Sequence, residues 1–384
     1  MSRNVYVNGI GETKLGKFPD RSVHDLIEEA GNAAVADAGI ERSSIEAVFV
    51  GNFAGGQLFD QGHLGPLVAE TLGIENVPTV RTEGACASGG LAFHQAVTAV
   101  KAGLYETVLV GGVERMTHQT TPTVTKTLAS AMDIQLEAAT GLTFPGSFAL
   151  IANRYFYEYG DVRREMAMVS VNSHLNASKN PHAQMQKLID EETVLSAPLI
   201  ADPIGLYDCS LITDGAAFLV VSSVPSGSHR QVEVAGIGHG GDALTLHGKK
   251  SITEFAATKR AAGKAYEMAG ITAKEVDLAE VHDCFSITQI INIEDLGFAA
   301  KGQGGKAVRN GDITLEGRIP INTSGGLKAK GHPIGATGIC QIVEIVTQLR
   351  GEAGERQIND PNIGITHNLG GTAATCVVSV FKGE

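Results

Sequence analysis

Ala38-Gly39-Ile40 opens a stretch that runs through the polar cluster Ser43 to Glu46 and the apolar Ala47-Val48-Phe49-Val50 into Gly51-Asn52-Phe53. The same plan returns late in the chain. Ala269-Gly270-Ile271 leads through a second polar cluster into an apolar strand and then His282-Asp283-Cys284-Phe285. A helix-like segment precedes each glycine, from Val23 to Ala38 in the first case and from Ala261 onward in the second, so each glycine reads as a helix stop. Two further pairs follow in the same order. The run after Cys86 and the strand Val108 to Gly112 match a helix Ile339 to Leu349 and a strand Asn362 to Thr366. Asp214-Gly215-Ala216-Ala217 with Phe218 to Val221 match Gly370-Gly371-Thr372-Ala373 with Cys376 to Phe381. Three matches in one order indicate an internal duplication, and strands alternating with helices indicate a βαβ-rich α/β unit used twice.

The first copy carries a long insertion between Gly112 and Asp214, with a Met- and Thr-rich stretch from Met116 to Met132, a turn at Pro145-Gly146 and a polar stretch from Ser173 to Gln186. A segment of that size reads as a helical subdomain that covers a site or decorates a dimer interface. The 384 residues carry 42 acidic and 30 basic side chains, a formal charge of -12 that disfavours nucleic-acid and anionic-membrane surfaces. Five cysteines, at 86, 209, 284, 340 and 376, form no CxxC pair and no metal-ligand spacing. They imply a reducing cytoplasmic setting, no disulfide framework and no structural zinc. No apolar run reaches signal-peptide or membrane-spanning character.

Chemistry collects around Glu83-Gly84-Ala85-Cys86-Ala87-Ser88-Gly89-Gly90, where small residues give way to a buried helix starting at the cysteine. There the unpaired amides and the helix dipole favour a thiolate, and the small neighbours leave room for a substrate carbonyl. The stretch alone fits a packing cysteine equally well. In the second copy, His282-Asp283-Cys284-Phe285, Gly331-His332-Pro333-Ile334-Gly335 and His367-Asn368-Leu369-Gly370-Gly371 each fall at a strand end or in a loop. Ligands in such sheets gather at strand ends, so these clusters facing Cys86 point to a cysteine and histidine acyl-transfer site.

Together with Asn180-Pro181-His182-Ala183-Gln184, Asp208-Cys209-Ser210, Asp214 to Ala217 and Asn322-Thr323-Ser324-Gly325-Gly326, these motifs carry a resemblance. Over almost its whole length the chain resembles a thiolase of the sterol-carrier-protein type. The resemblance implies a thiolase fold: two duplicated αβαβα half-domains in five layers with an inserted loop or lid domain. It places the N-terminal half-domain at 1–115 and 206–228, the insertion at 116–205 and the C-terminal half-domain at 229–384. It implies a homodimer or higher, coenzyme A as cosubstrate with no tightly bound cofactor, and, in prokaryotic relatives, a separate small OB-fold subunit with a zinc ribbon.

The implied reaction is cleavage of a 3-oxoacyl-CoA by CoA, or the reverse Claisen condensation, through an acyl group on Cys86, on a branched, aromatic or otherwise non-standard substrate. His332 takes the thiol proton. Many thiolases hold a second acid/base cysteine in a Cys-x-Gly motif where this chain has His367-Asn368-Leu369-Gly370, so Cys284 becomes the candidate. His282 with His332 is assigned to the enolate, and the amides of Cys86 and Gly370 to the tetrahedral oxyanion. His367 reads either as a proton carrier or as a structural histidine, and Asp283 and Asn368 as supporting residues. Cys209, Cys340 and Cys376 read as packing residues. Lys249, Lys250, Ser251 and Lys187 are candidates for the CoA phosphates. Two other classes stay open: a non-thiolytic acyltransferase or condensing enzyme on the same scaffold, and a non-catalytic thiolase-like subunit.

Overall fold

A computed structural model describes residues 3–227 and 229–384. The first half contributes β1 (Tyr6–Glu12), α1 (Val23–Ala38), β2 (Ala47–Gly51), α2 (Gly55–Leu58), α3 (Leu64–Thr71), β3 (Thr79–Thr82), α4 (Ser88–Lys101) and β4 (Thr107–Glu114). The insertion holds α5 (Thr121–Leu128), α6 (Phe144–Tyr159), α7 (Arg163–Ser178), α8 (Glu191–Leu195) and the small hairpin β5 (Leu199–Ala201) and β6 (Ile204–Gly205). The chain re-enters the first half as β7 (Gly215–Ser222). The second half contributes β8 (Val232–Gly241), α9 (Ala256–Ala269), β9 (Leu278–Val281), α10 (Ser286–Asp295), α11 (Gly304–Arg309), α12 (Gly326–Ala329), α13 (Thr337–Arg350), β10 (Ile363–Gly370) and β11 (Thr375–Gly383).

The strands lie in the order β3-β2-β4-β7-β1-β8-β11-β10-β9. Each half repeats one pattern. In the first, β2 is parallel to β3 and β4, and β7 lies antiparallel between β4 and β1. In the second, β9 is parallel to β10 and bridges Ile321 in parallel, and β11 lies antiparallel between β10 and β8. The two sheets touch edge to edge through one register pair, Tyr6 with Glu233. Helices α4 and α13 are sandwiched between the sheets, α1 and α3 cover the outer face of the first and α9 that of the second. This is the expected five-layer α/β arrangement.

Both glycine stops behave as read: Gly39 and Gly270 end their helices in the left-handed region, with φ of 64° and 65°. Ser22 and Asp25 close a reciprocal capping box at the start of α1. The outer helices share a second device. A Cβ on Gly9 or Gly11 would overlap the carbonyl oxygens of Ala34 or Ala30 in α1, and one on Gly236, Gly238 or Gly240 would overlap those of Ala265, Ala261 or Ala257 in α9. Alternate strand positions facing every fourth helix residue let backbone meet backbone. Pro145-Gly146 lies in the first turn of α6 rather than in a loop turn, since proline at a helix start loses no intrahelical hydrogen bond. The polar stretch from Ser173 begins inside α7.

Gly238→Ala should therefore cost about 1–3 kcal/mol by overpacking. Gly263→Ala, in the same α9 with no atom within 4 Å of the new Cβ, should gain about 0.5–1 kcal/mol from helix propensity. Urea unfolding of both variants checks the pair, and equal effects would contradict the backbone-contact reading.

Candidate functional site

Cys86 lies in a 3-10 turn, Ala85–Ala87, that leads into α4, so the helix proper begins two residues after the cysteine. The turn is sharp. Ala85 has φ 51°, a left-handed conformation that costs a non-glycine residue about 1–2 kcal/mol. It is held by the Ala85 N–H donating to Glu83 Oε1 at 2.6 Å and the Ser88 hydroxyl donating to Ala85 O at 2.6 Å. The result presents the Cys86 sulfur to a cavity of about 450 Å³.

Two histidines meet the sulfur. One donor atom each of Cys86, His282 and His332 lie within 4.8 Å of one another, and the imidazole rings of His282 and His332 are perpendicular with centroids 5.2 Å apart. The Thr337 hydroxyl donates to Pro333 O at 3.0 Å and sits 2.7 Å from His332 Nδ1. With its proton committed, that hydroxyl accepts from Nδ1–H, which leaves His332 Nε2 with its lone pair. Burial lowers the His332 pKa to about 3, so the ring rests neutral. The His332 loop is anchored to the first half by Glu114, which is fully buried. Its carboxylate accepts the N–H groups of Phe53 (3.0 Å), Ala54 (3.2 Å) and Gly335 (3.0 Å) and the Asn52 amide (2.9 Å). Burial raises Glu114 to about 7 against the pull of these donors.

Burial also pushes the Cys86 thiol up to about 12; the N–H of Gly371 pulls it down and the Glu114 charge pushes it up. The resting group is a thiol and not the thiolate expected at a helix start. Desolvation in this apolar cavity outweighs the helix-end field.

Cys284 lines the same cavity and is buried, with its sulfur 3.7 Å from the Thr288 hydroxyl. Burial and then the neighbouring Cys86 raise its pKa well above normal. Gly370 packs under Gly84 O, which a Cβ would overlap, and the next residue, Gly371, lines the cavity together with Cys86. His367 is fully buried behind His282. Its Nδ1 faces the His282 N–H at 3.3 Å and its Nε2 the Thr258 hydroxyl at 2.9 Å, and it does not line the cavity. Asp283 accepts the Leu327 N–H at 2.7 Å. Cys340 and Cys376 are buried in α13 and β11, but Cys209 lines the cavity rather than only packing.

The four CoA candidates are not gathered at the cavity. Lys249 is 1% exposed as a side chain and donates to Asp242 (3.3 Å) and to Ala243 O (2.6 Å), so its charge is engaged within the fold. Ser251 contacts Thr253 at 3.1 Å. Lys250 and Lys187 are exposed. A second cavity, of about 430 Å³, borders the Cys86 turn at Glu83, Gly84 and Ala85 and shares Phe53, Ala131 and Gly371 with the first. Glu114, Thr337 and Gly371 were not singled out by the sequence as working residues. Only Gly371 left a usable sign there, as the second member of a double-glycine turn.

Residues 5–224 match the thiolase N-terminal domain and residues 238–383 a thiolase C-terminal-like domain. The chain belongs to the thiolase family. This thiolase is 45% identical to an acetyl-CoA acetyltransferase of Methanothermobacter thermautotrophicus, over 99% of its own length and 100% of the relative's. It is 33% identical to the benzoylsuccinyl-CoA thiolase subunit BbsB of Thauera aromatica (97% and 96% covered) and 32% identical to human sterol carrier protein 2 (99% and 72% covered). With relatives of this kind it is an acyltransferase. The fold matches the Ltp2-ChsH2(DUF35) aldolase with a TM-score of 0.84 at 24% identity, covering 99% of this chain and 98% of that one. It matches human mitochondrial 3-ketoacyl-CoA thiolase in complex with CoA with a TM-score of 0.75 at 18% identity, covering 100% and 98%. Among the described residues no helix is long and apolar enough to cross a membrane.

With the Cys86 thiol at about 12, its alkylation by iodoacetamide in the free enzyme should rise about tenfold per pH unit from roughly pH 7 to 9 without levelling. A plateau inside that range would show a resting thiolate instead.

Proposed function

We propose that this thiolase cleaves a 3-oxoacyl-CoA with CoA, or runs the reverse condensation, through an acyl group on Cys86. The observation that carries the reading is the neutral His332, with its Nε2 lone pair free, beside a cavity-facing thiol. As Cys86 attacks the ketone carbon, its proton passes to His332 and a sulfur–carbon bond forms. The bond between the α- and β-carbons then breaks, and the thioester enolate takes a proton from Cys284. CoA returns a proton to the Cys284 sulfur and attacks the acyl group as thiolate, while the leaving Cys86 sulfur recovers its proton from His332. The N–H groups of Cys86 and Gly370 are the donors for the tetrahedral oxyanion, with Gly371 beside them on the cavity wall, and His282 with His332 serves the enolate.

A branched, aromatic or otherwise bulky acyl group is the substrate reading that the walls support. Phe144, Phe148 and Phe285 line the cavity of about 450 Å³ on the Cys86 and Cys284 side, far more apolar lining than an acetyl group fills. Lys250 and Lys187 are the exposed amines left to meet phosphate. The insertion 116–205 forms the lid over the cavity through α5 and α6. A cytoplasmic homodimer completes the reading: β3 is an edge strand of the sheet, with Val80 41% exposed, and an unpaired edge favours joining a second copy. A separate small OB-fold subunit with a zinc ribbon is the partner, as the similar two-part Ltp2-ChsH2(DUF35) aldolase and the thiolase subunit BbsB suggest.

Cys86→Ser should abolish turnover and the acyl mass seen after incubation with acyl-CoA; wild-type thiolysis in that variant would end the proposal. Cys284→Ala should slow α-proton exchange into acetyl-CoA by about a hundred- to ten-thousandfold while Cys86 still becomes acylated. His367→Ala should leave that exchange far less affected, and the opposite ranking would move the acid/base role to the histidine. An aromatic 3-oxoacyl-CoA should exceed acetoacetyl-CoA in kcat/KM; the reverse order would remove the bulky-substrate reading. Sedimentation of a stable, active monomer would remove the dimer.

A further inference from the structure

Cys86, His282 and His332 form a set of one thiol and two imidazoles that resembles an open zinc site. Their donor atoms lie within 4.8 Å of one another, and a modest contraction would bring them to the roughly 2.0–2.3 Å from a common ion that zinc requires. A site with this composition would capture thiophilic divalent cations and lose its nucleophile. Asn368 bears on this directly.

The orientation of the Asn368 amide is fixed twice by main-chain groups. Its Oδ1 accepts the Gly90 N–H at 3.1 Å, and its Nδ2 donates to Cys86 O at 3.0 Å. Neither backbone group can exchange roles, so the amide cannot be flipped. The second Nδ2 hydrogen then faces His282 Nδ1 at 3.3 Å. That nitrogen must accept, and a neutral imidazole accepting at Nδ1 carries its proton on Nε2. The main chain of His282 is pinned as well: its N–H donates to His367 Nδ1 at 3.3 Å and its carbonyl accepts from Asn292 Nδ2 at 2.9 Å. Asn368 is 2% exposed.

We propose that Asn368 is a positioning residue that locks His282 in the Nε2–H tautomer, which keeps the ring a hydrogen-bond donor and withholds its lone pairs from metal ions. With Nδ1 occupied by the Asn368 amide and Nε2 protonated, neither nitrogen of His282 is free to ligate. Cys86 and His332 alone are too few protein ligands to hold a divalent cation firmly. The lock is a matter of donor against acceptor, so an isosteric change of sign at one atom reverses it. In Asn368→Asp the carboxylate gives up the bond to Cys86 O and accepts from Nδ1–H, His282 Nε2 gains its lone pair, and the three ligands come into play.

The tautomer can be read in the wild-type enzyme by neutron diffraction from deuterated crystals. Deuterium is expected on His282 Nε2 and none on Nδ1, and deuterium on Nδ1 overturns the proposal without any variant. In solution the probe is Co²⁺. Asn368→Asp should bind one Co²⁺ with a thiolate-to-cobalt charge-transfer band that vanishes when Cys86→Ser is added, while the wild type shows no such band at the same concentration. An equal band in the wild type overturns the lock.

The donor half rests on the reading of His282 under the proposed function and is tested separately. Exchange of the acetyl-CoA α-proton should fall about a hundred- to a thousandfold in Asn368→Asp, the usual cost of losing one oxyanion donor, while acylation of Cys86 persists. A cobalt band together with wild-type exchange would sustain the tautomer lock and refute the enolate role of His282.

Discussion

The approach between the first turns of α4 and α13 governs the rest of this molecule. Here the two halves meet backbone to backbone: a Cβ on Gly89 would lie 2.8 Å from Gly335 O, and one on Gly112 would overlap the same oxygen. Gly338 would likewise clash with the main chain at Gly90. The Glu114 carboxylate then ties both sides, with Phe53, Ala54 and Asn52 from one half and Gly335 from the other. A buried carboxylate with four donors is expensive to break, since removing it leaves several buried N–H groups unpaired. Cys86 and His332 sit at the ends of these helices, so their separation is set by main-chain contact and not by flexible side chains.

Burial gives the site its resting charge state. It raises the cysteine and lowers the histidine, and the pair waits as thiol and neutral imidazole. On the proposed reaction, charge is created only when the substrate arrives, and amides and imidazole receive the oxyanion. Preorganised donors act most strongly under those conditions, because no water competes and nothing reorients during the step. The same low polarity keeps Cys284 protonated, and a thiol is the form that can give a proton to an enolate.

The duplication was legible because its signals are local: a helix stop, a polar cluster and an apolar strand, each read from a few consecutive residues. The cysteine stretch and the three histidine clusters were legible for the same reason, as departures from packing composition at a helix start and at strand ends or loops. What the sequence concealed was pairing across long separations. Glu114 looks like the polar end of a strand until Gly335 is seen to donate to it across 221 residues. Gly370 and Gly371 are equivalent on paper, and only the turn packs Gly370 under Gly84 O and brings Gly371 to the cavity wall. The charge state of Cys86 was concealed too, because the residues of a helix start do not reveal how dry their surroundings are.

Register also shows how a symmetric duplication became an asymmetric site. Val50 pairs with Gly111 and Gly51 with Gly112 in the first half, whereas Val281 pairs with His367 in the second. Aligning the strands by their apolar runs sets Gly51 against His282 and Gly112 against Asn368. In the first copy both positions are glycine: a Cβ on Gly51 would lie 2.6 Å from Gly89 Cα, and one on Gly112 would overlap the loop that carries His332. In the second copy the same two positions carry the imidazole and the amide that lie 3.3 Å apart near Cys86. One half therefore supplies close packing and the other supplies hydrogen-bonding groups. A side chain at either first-half glycine would have to displace the turn that presents Cys86 or the loop that presents His332. The clearance in one copy is the condition for the chemistry in the other.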